Sequence, residues 1–166
     1  LSHAGTDRYS YPIAPTISWV TGCKAEVPAT SRTVGCPTDT ATFPTRITIT
    51  GNFFGTSGAQ VSVGGNPCTG VVHTVPQTQL TCSLPPGVGF NRRIIVTQAT
   101  RVSQGAPILD YARPNLYSVA GCSPAGNLTV GCARTGGTKV TIRGQNFGVG
   151  PARVSHSCSS LWVQLC

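Results

Sequence analysis

Two stretches of the chain, Ile47-Thr-Ile-Thr-Gly-Asn-Phe-Phe-Gly55 and Val140-Thr-Ile-Arg-Gly-Gln-Asn-Phe-Gly148, share one pattern of apolar and polar positions. In each, β-branched residues (Ile47 and Ile49, Val140 and Ile142) alternate with Thr or Arg, so one face of an extended segment is apolar and the other meets water. This predicts a half-buried strand. Gly51 or Gly144 is then expected to adopt a backbone conformation closed to other residues, Phe54 or Phe147 to drop onto the core as a plug, and Gly55 or Gly148 to release the chain into a turn. Recurrence of the whole phrase predicts a chain built on a repeat. Elsewhere the apolar residues fall in strand-length runs separated by Gly, Pro, Ser and Thr, with no helical periodicity. None approaches the roughly 20 apolar residues that span a bilayer as a helix.

Further landmarks follow in order: Ala14-Pro15-Thr-Ile17, the phrase at 47–55, Val61-Ser-Val63-Gly-Gly65, Cys68, Leu80-Thr-Cys82, Leu84-Pro85-Pro86-Gly87-Val-Gly89, Ile94-Ile-Val96 and Leu109-Asp-Tyr111. With Gly144, Asn146, Phe147 and Gly148 they resemble the IPT/TIG domain, an immunoglobulin-like β-sandwich whose motif reads approximately (T/V)-x-(I/V)-x-G-x-N-F-G. The first copy departs from it at Phe53, where the motif has Asn. The resemblance implies an all-β chain of two tandem immunoglobulin-like (IPT/TIG) β-sandwiches, the second incomplete. It also implies an extracellular role in adhesion, spacing or assembly, as in receptor ectodomains and large surface proteins.

Eight cysteines in 166 residues point to an oxidising compartment, outside the cell or on its surface. Sequence alone does not fix the pairing of eight, but the repeat narrows it. Val20-Thr-Gly-Cys23 and Val34-Gly-Cys36 match Val119-Ala-Gly-Cys122 and Val130-Gly-Cys132, so Cys23 is expected to join Cys36, and Cys122 to join Cys132. Cys68 with Cys82 fits the family's next pair, which leaves Cys158 with Cys166. Zinc would compete for these thiols, but no Cys-x-x-Cys occurs and the histidines do not flank the cysteines at ligand spacing. No cofactor is implied.

The residues before Tyr11-Pro-Ile-Ala-Pro15 stand where a domain's last strand stands before Tyr111-Ala-Arg-Pro114. Residues 1–11 are therefore expected to be the closing strand of a neighbouring domain, with Thr6, Arg8, Tyr9 and Tyr11 as the assembly strand. Residues 12–112 read as the first domain. Its segment from Lys24 to Pro44 is expected to be a disulfide-pinned loop, because Pro28, Pro37 and Pro44 oppose a central strand; its hydroxyls suit a bare solvated surface or O-linked glycans equally. Residues 113–166 read as the second domain, truncated, lacking counterparts of Ser83 to Tyr111. A sandwich cut there exposes core and edge, so a neighbour is expected to complete it. The absence of Gly or Ser from Tyr111-Ala-Arg-Pro114 predicts a stiff junction.

Catalysis has little to stand on. Asp7, Glu26, Asp39 and Asp110 are scattered, as are His3, His73 and His156, and no nucleophile elbow or phosphate loop occurs. The net charge of +8 could attract an acidic polysaccharide, a possible partner, but the charge is dispersed and Arg92-Arg93 is the one adjacent basic pair. Basic and aromatic residues do not interleave as nucleic-acid platforms require, so no nucleic acid partner is expected. Asn127-Leu-Thr129 is the sole N-glycosylation sequon, since Asn66 precedes Pro, and covalent glycans are expected there. The reading that joins these features is a secreted structural subunit of a fibre, its copies joined head-to-tail. The alternative is a tandem ectodomain fragment of a receptor or adhesin that binds a protein or glycan.

Overall fold

The structure, a computed structural model, describes residues 13–27 and 31–154. Among them all regular structure is β. Residues 1–11, with Thr6, Arg8, Tyr9 and Tyr11, and the pair Cys158 and Cys166 lie outside the described residues.

Along the first tract run β1 (Thr16–Thr21), β2 (Ala25–Val27), β3 (Arg32–Cys36), β4 (Arg46–Asn52), β5 (Gln60–Val63), β6 (Asn66–Pro67), β7 (Thr69–Val75), β8 (Gln79–Ser83), β9 (Arg92–Gln98), β10 (Arg101–Val102) and β11 (Ala106–Tyr111). They form two sheets: β1-β4-β8-β7, and β2-β3-β11-β9-β5-β6 with β10 beside β9. The pairings are antiparallel except that of β11 with β3, which is parallel, with Leu109 opposite Thr33 and Tyr111 opposite Cys36. In β4, Ile47 and Ile49 are fully buried while Thr48 and Thr50 are half-buried, as period-2 alternation on a one-sided sheet requires. With Val20, Phe54, Leu80, Ile94, Val96 and Leu109 they form the core between the sheets.

The segment from Lys24 to Pro44 is not a loop throughout. It contributes β2 and β3, and β3 is hydrogen-bonded on both sides, to β2 and β11. The prolines do not oppose this because none lies within Arg32–Cys36: Pro37 follows the strand and bounds it. Gly51 and Gly144 also differ from expectation. Neither has a positive φ; each is a close approach, where a Cβ would run into the carbonyl oxygen of Thr16 or Asn115 and the Cζ of Phe54 (2.7 Å) or Phe147 (2.6 Å). The left-handed conformation belongs instead to the residue before the plug, Phe53 (φ 64°) or Asn146 (φ 62°). His73 seals the bend after Phe54, with Nδ1 donating to the Gly55 carbonyl (3.1 Å) and Nε2 accepting from Ala59 N–H (3.3 Å).

A second tract holds β12 (Asn115–Ala120), β13 (Ser123–Ala125), β14 (Leu128–Val130) and β15 (Thr141–Gln145), paired as β12-β15 and β13-β14. These four repeat β1, β2, β3 and β4 in register. Val119 sits opposite Ile142 as Val20 sits opposite Ile49, and the shift between Leu116 and Ser118 repeats that between Ile17 and Trp19. Ser123 faces Val130 as Ala25 faces Val34. Disulfides join Cys23 to Cys36, Cys68 to Cys82 and Cys122 to Cys132. Where the tracts meet, the Arg113 guanidinium lies 5.0 Å from the centre of the Phe90 ring, and a Cβ on Gly148 would come within 2.5 Å of Val88 Cγ1.

Candidate assembly surface

The two tracts match in backbone but not in cover. Thr33 and Thr129 each accept a hydrogen bond from a cysteine N–H, Cys23 at 3.1 Å and Cys122 at 2.8 Å, which fixes β3 and β14 against the disulfide in the same way. Thr33 and Cys36 are fully buried under β11, whereas Thr129 is half-buried and Cys132 exposed. Among the described residues β14 pairs with β13 alone, so its other edge offers unpaired backbone groups where β3 holds β11.

The apolar face behind that edge is open as well. Ile47 and Phe54 are fully buried, but their counterparts Val140 and Phe147 are 45% and 37% exposed. Leu128 and Val130 on β14 are 65% and 49% exposed. Both alternate with Thr129, the counterpart of core-facing Thr33, and so lie on the outer face of β14, opposite the face that Val140 and Phe147 leave open.

One contact distinguishes the covered edge from the open one. Arg32 of β3 donates from Nη2 to Asp110 Oδ1 of β11 at 2.5 Å, and both side chains are mostly buried, 22% and 16% exposed. Asn91 joins them: its N–H donates to Asp110 and its side-chain oxygen accepts from Arg32. At the place of Arg32, β14 carries Leu128. The sequence reading missed this position, although aligning Arg32-Thr-Val34 with Leu128-Thr-Val130 would have exposed it.

Tyr111 closes β11. Its hydroxyl donates to the Pro85 carbonyl at 2.8 Å, and its ring lies so close to Gly87 that a Cβ there would approach Cζ at 2.5 Å. Burial pushes its pKa up to about 12, against the opposing pull of the Arg92 charge.

The remaining candidate chemistry is occupied structurally. Asp39 accepts from the Thr42 hydroxyl and the N–H groups of Thr42 and Ala41, and these bonds hold its carboxyl below the usual range, most of all the one from the Thr42 hydroxyl. Asp110 is engaged by Arg32, and His73 spends both ring nitrogens on backbone. Asp7, His3 and His156 lie outside the described residues. Among those residues no three His, Cys, Asp or Glu gather as metal ligands, and no helix is long and apolar enough to cross a membrane. Asn127 is exposed in the turn between β13 and β14, its own carbonyl accepting from Val119 N–H at 3.0 Å.

Residues 31–111 match the family model described as the IPT/TIG domain. No curated protein matches the sequence. Among solved structures, an auxiliary nutrient binding protein from Bacteroides thetaiotaomicron is 16% identical, over 69% of this chain and 25% of its own, with a TM-score of 0.42. An auxiliary nutrient binding protein from Bacteroides ovatus is 18% identical, over 66% and 23%, with a TM-score of 0.37. A Bacteroides thetaiotaomicron protein provisionally named a phosphatase is 19% identical, over 66% and 20%, also at 0.37. This chain thus spans a quarter or less of each, and likeness at that level bears on neither activity nor partners.

Proposed function

Because residues 31–111 are an IPT/TIG domain, we propose that this chain is a structural subunit of an extracellular fibre, its copies joined head-to-tail. The observation that carries the reading is the second tract: four strands in the register of a complete module, with an apolar face and a strand edge uncovered among the described residues. A second copy covers that surface by adding a strand, which gains main-chain hydrogen bonds and removes apolar side chains from water together. Donor and acceptor surfaces differ, so the contact is heterologous and propagates into a filament unless its rotation closes a ring.

In this reading residues 1–11 donate, residues 12–112 are a self-contained module, and residues 113–166 accept. The three disulfides support a location outside the cell for this assembly. Covalent glycans, at Asn127 first, coat the fibre. The role is mechanical rather than catalytic, and no cofactor enters it.

Electron microscopy of the secreted protein, with sedimentation over a concentration series, tests this. A filament with one axial repeat is expected, and deletion of residues 1–11 should abolish it. A chain that stays a short monomeric rod at every concentration is instead an ectodomain fragment of a receptor or adhesin.

A further inference from the structure

We infer that residues 6–11 of one copy dock parallel to β14 of the next, with Tyr9 opposite Thr129, Tyr11 opposite Cys132 and Ser10 beside Leu128. The inference rests on the head-to-tail reading and specifies which edge, direction and register it uses.

The direction comes from the complete module. There β11 runs parallel to β3, Leu109 opposite Thr33 and Tyr111 opposite Cys36. Because β14 matches β3 in its pairing with the preceding strand, in the threonine hydroxyl bond and in the disulfide, its free edge presents the same geometry. A strand that fits carries a large apolar or aromatic residue two positions before a tyrosine that is followed closely by proline. Leu109-Asp-Tyr111 before Pro114 does so, and so does Tyr9-Ser-Tyr11 before Pro12.

Charge supplies the second, independent argument. In the complete module a charged residue on the closing strand, Asp110, meets a charged residue on β3, Arg32. At the open edge both members change together: β14 has Leu128, and the N-terminal segment has Ser10 between its two tyrosines. A closing strand with Asp at that position would leave a carboxylate without its partner against Leu128. A serine leaves none. Shifting the segment by one residue would turn Tyr9 and Tyr11 to the wrong face, because side chains alternate along a strand.

A charge-reconstruction cycle in the full chain tests this, read as the critical concentration for assembly by sedimentation. Ser10→Asp and Leu128→Arg should each raise it about tenfold, the effect of one unpaired charge in a half-buried contact. The double variant, which rebuilds the Arg32–Asp110 pair across the joint, should return to within about threefold of the unmodified chain. Arg8→Asp combined with Leu128→Arg should not be rescued. Additive losses in the double variant, or equal rescue by Arg8→Asp, would overturn the register while leaving fibre assembly standing. Filaments indifferent to Ser10→Asp would show that another segment, such as residues 155–166, covers β14. If the unmodified chain does not assemble at any concentration, the head-to-tail reading itself fails.

Discussion

Phe53 and Asn146 occupy the same left-handed position before the plug phenylalanine, but only Asn146 reaches back across the bend, donating from Nδ2 to the Arg113 carbonyl at 3.3 Å. A side chain with a short polar arm tolerates φ near +60°, whereas an aromatic one is strained there. Phe53 gains little in exchange, being 43% exposed.

Phe53→Asn should therefore stabilise the first module by about 1 kcal/mol, and Asn146→Phe should destabilise the second by a similar amount. Denaturant unfolding of each variant measures both. An unchanged midpoint for Phe53→Asn would mean that the exposed ring has a packing role outweighing its strain.

Gly51→Ala should cost roughly 2–4 kcal/mol, because the added methyl meets both a ring and a carbonyl oxygen. Only the ring can yield. The double variant Gly51→Ala with Phe54→Leu should thus remain well below the unmodified protein in melting temperature. In Gly144→Ala the partly exposed Phe147 ring can swing aside, but the Asn115 carbonyl cannot, so the same sign and a smaller effect are expected.

The strand pattern was legible because Ile47, Ile49, Val140 and Ile142 alternate cleanly, and alternation follows from the pleat alone. The role of Gly51 was not, since a glycine required by a neighbouring strand looks the same in sequence as one required by its own φ. Arg32–Cys36 was hidden for a related reason. Flanking prolines read as strand breakers, but a proline just past a strand ends it without weakening it. Cover is the least legible property: Ile47 and Val140 sit in near-identical phrases, and what separates them is which distant strands lie above. The Arg32–Asp110 pair spans most of the first module in sequence and leaves no local signal.

Stability should fall in alkali through Tyr111. Its pKa is raised on folding to about 12 from an ordinary value near 10, so the folded state holds the proton more tightly than the unfolded state does. The contribution is complete below pH 10 and is lost as pH rises through 12. Tyr111→Phe should flatten this part of the profile and lower stability at neutral pH by roughly 1–2 kcal/mol through the orphaned Pro85 carbonyl. Melting curves between pH 7 and 12 compare the two.

Under mild reductant, Cys122–Cys132 should open before Cys68–Cys82. The former has an exposed sulfur-bearing residue in Cys132, while Cys68 and Cys82 are 7% and 0% exposed in the core. Alkylation followed by peptide mapping gives the order. Losing either bridge should cost about 3 kcal/mol by loop entropy, since the cysteines are 10 and 14 residues apart.

Asn127 should carry an N-linked glycan in the secreted protein, being exposed in a turn. Asn127→Gln should remove the glycan's mass and leave the melting temperature within about 1 °C, as expected of a surface substitution.

In the proposed assembly, the ion pair between Arg32 and Asp110 would also keep the two closing strands apart. If β11 strayed onto β14, Asp110 would abandon its counterion for Leu128; if an incoming N-terminal segment displaced β11, Ser10 would strand the guanidinium of Arg32 beneath it. Each guest is thus penalised in the other's berth. If copies assemble head-to-tail as proposed, concentrated protomers would be spared the tangled exchange of like strands that identical sockets would invite.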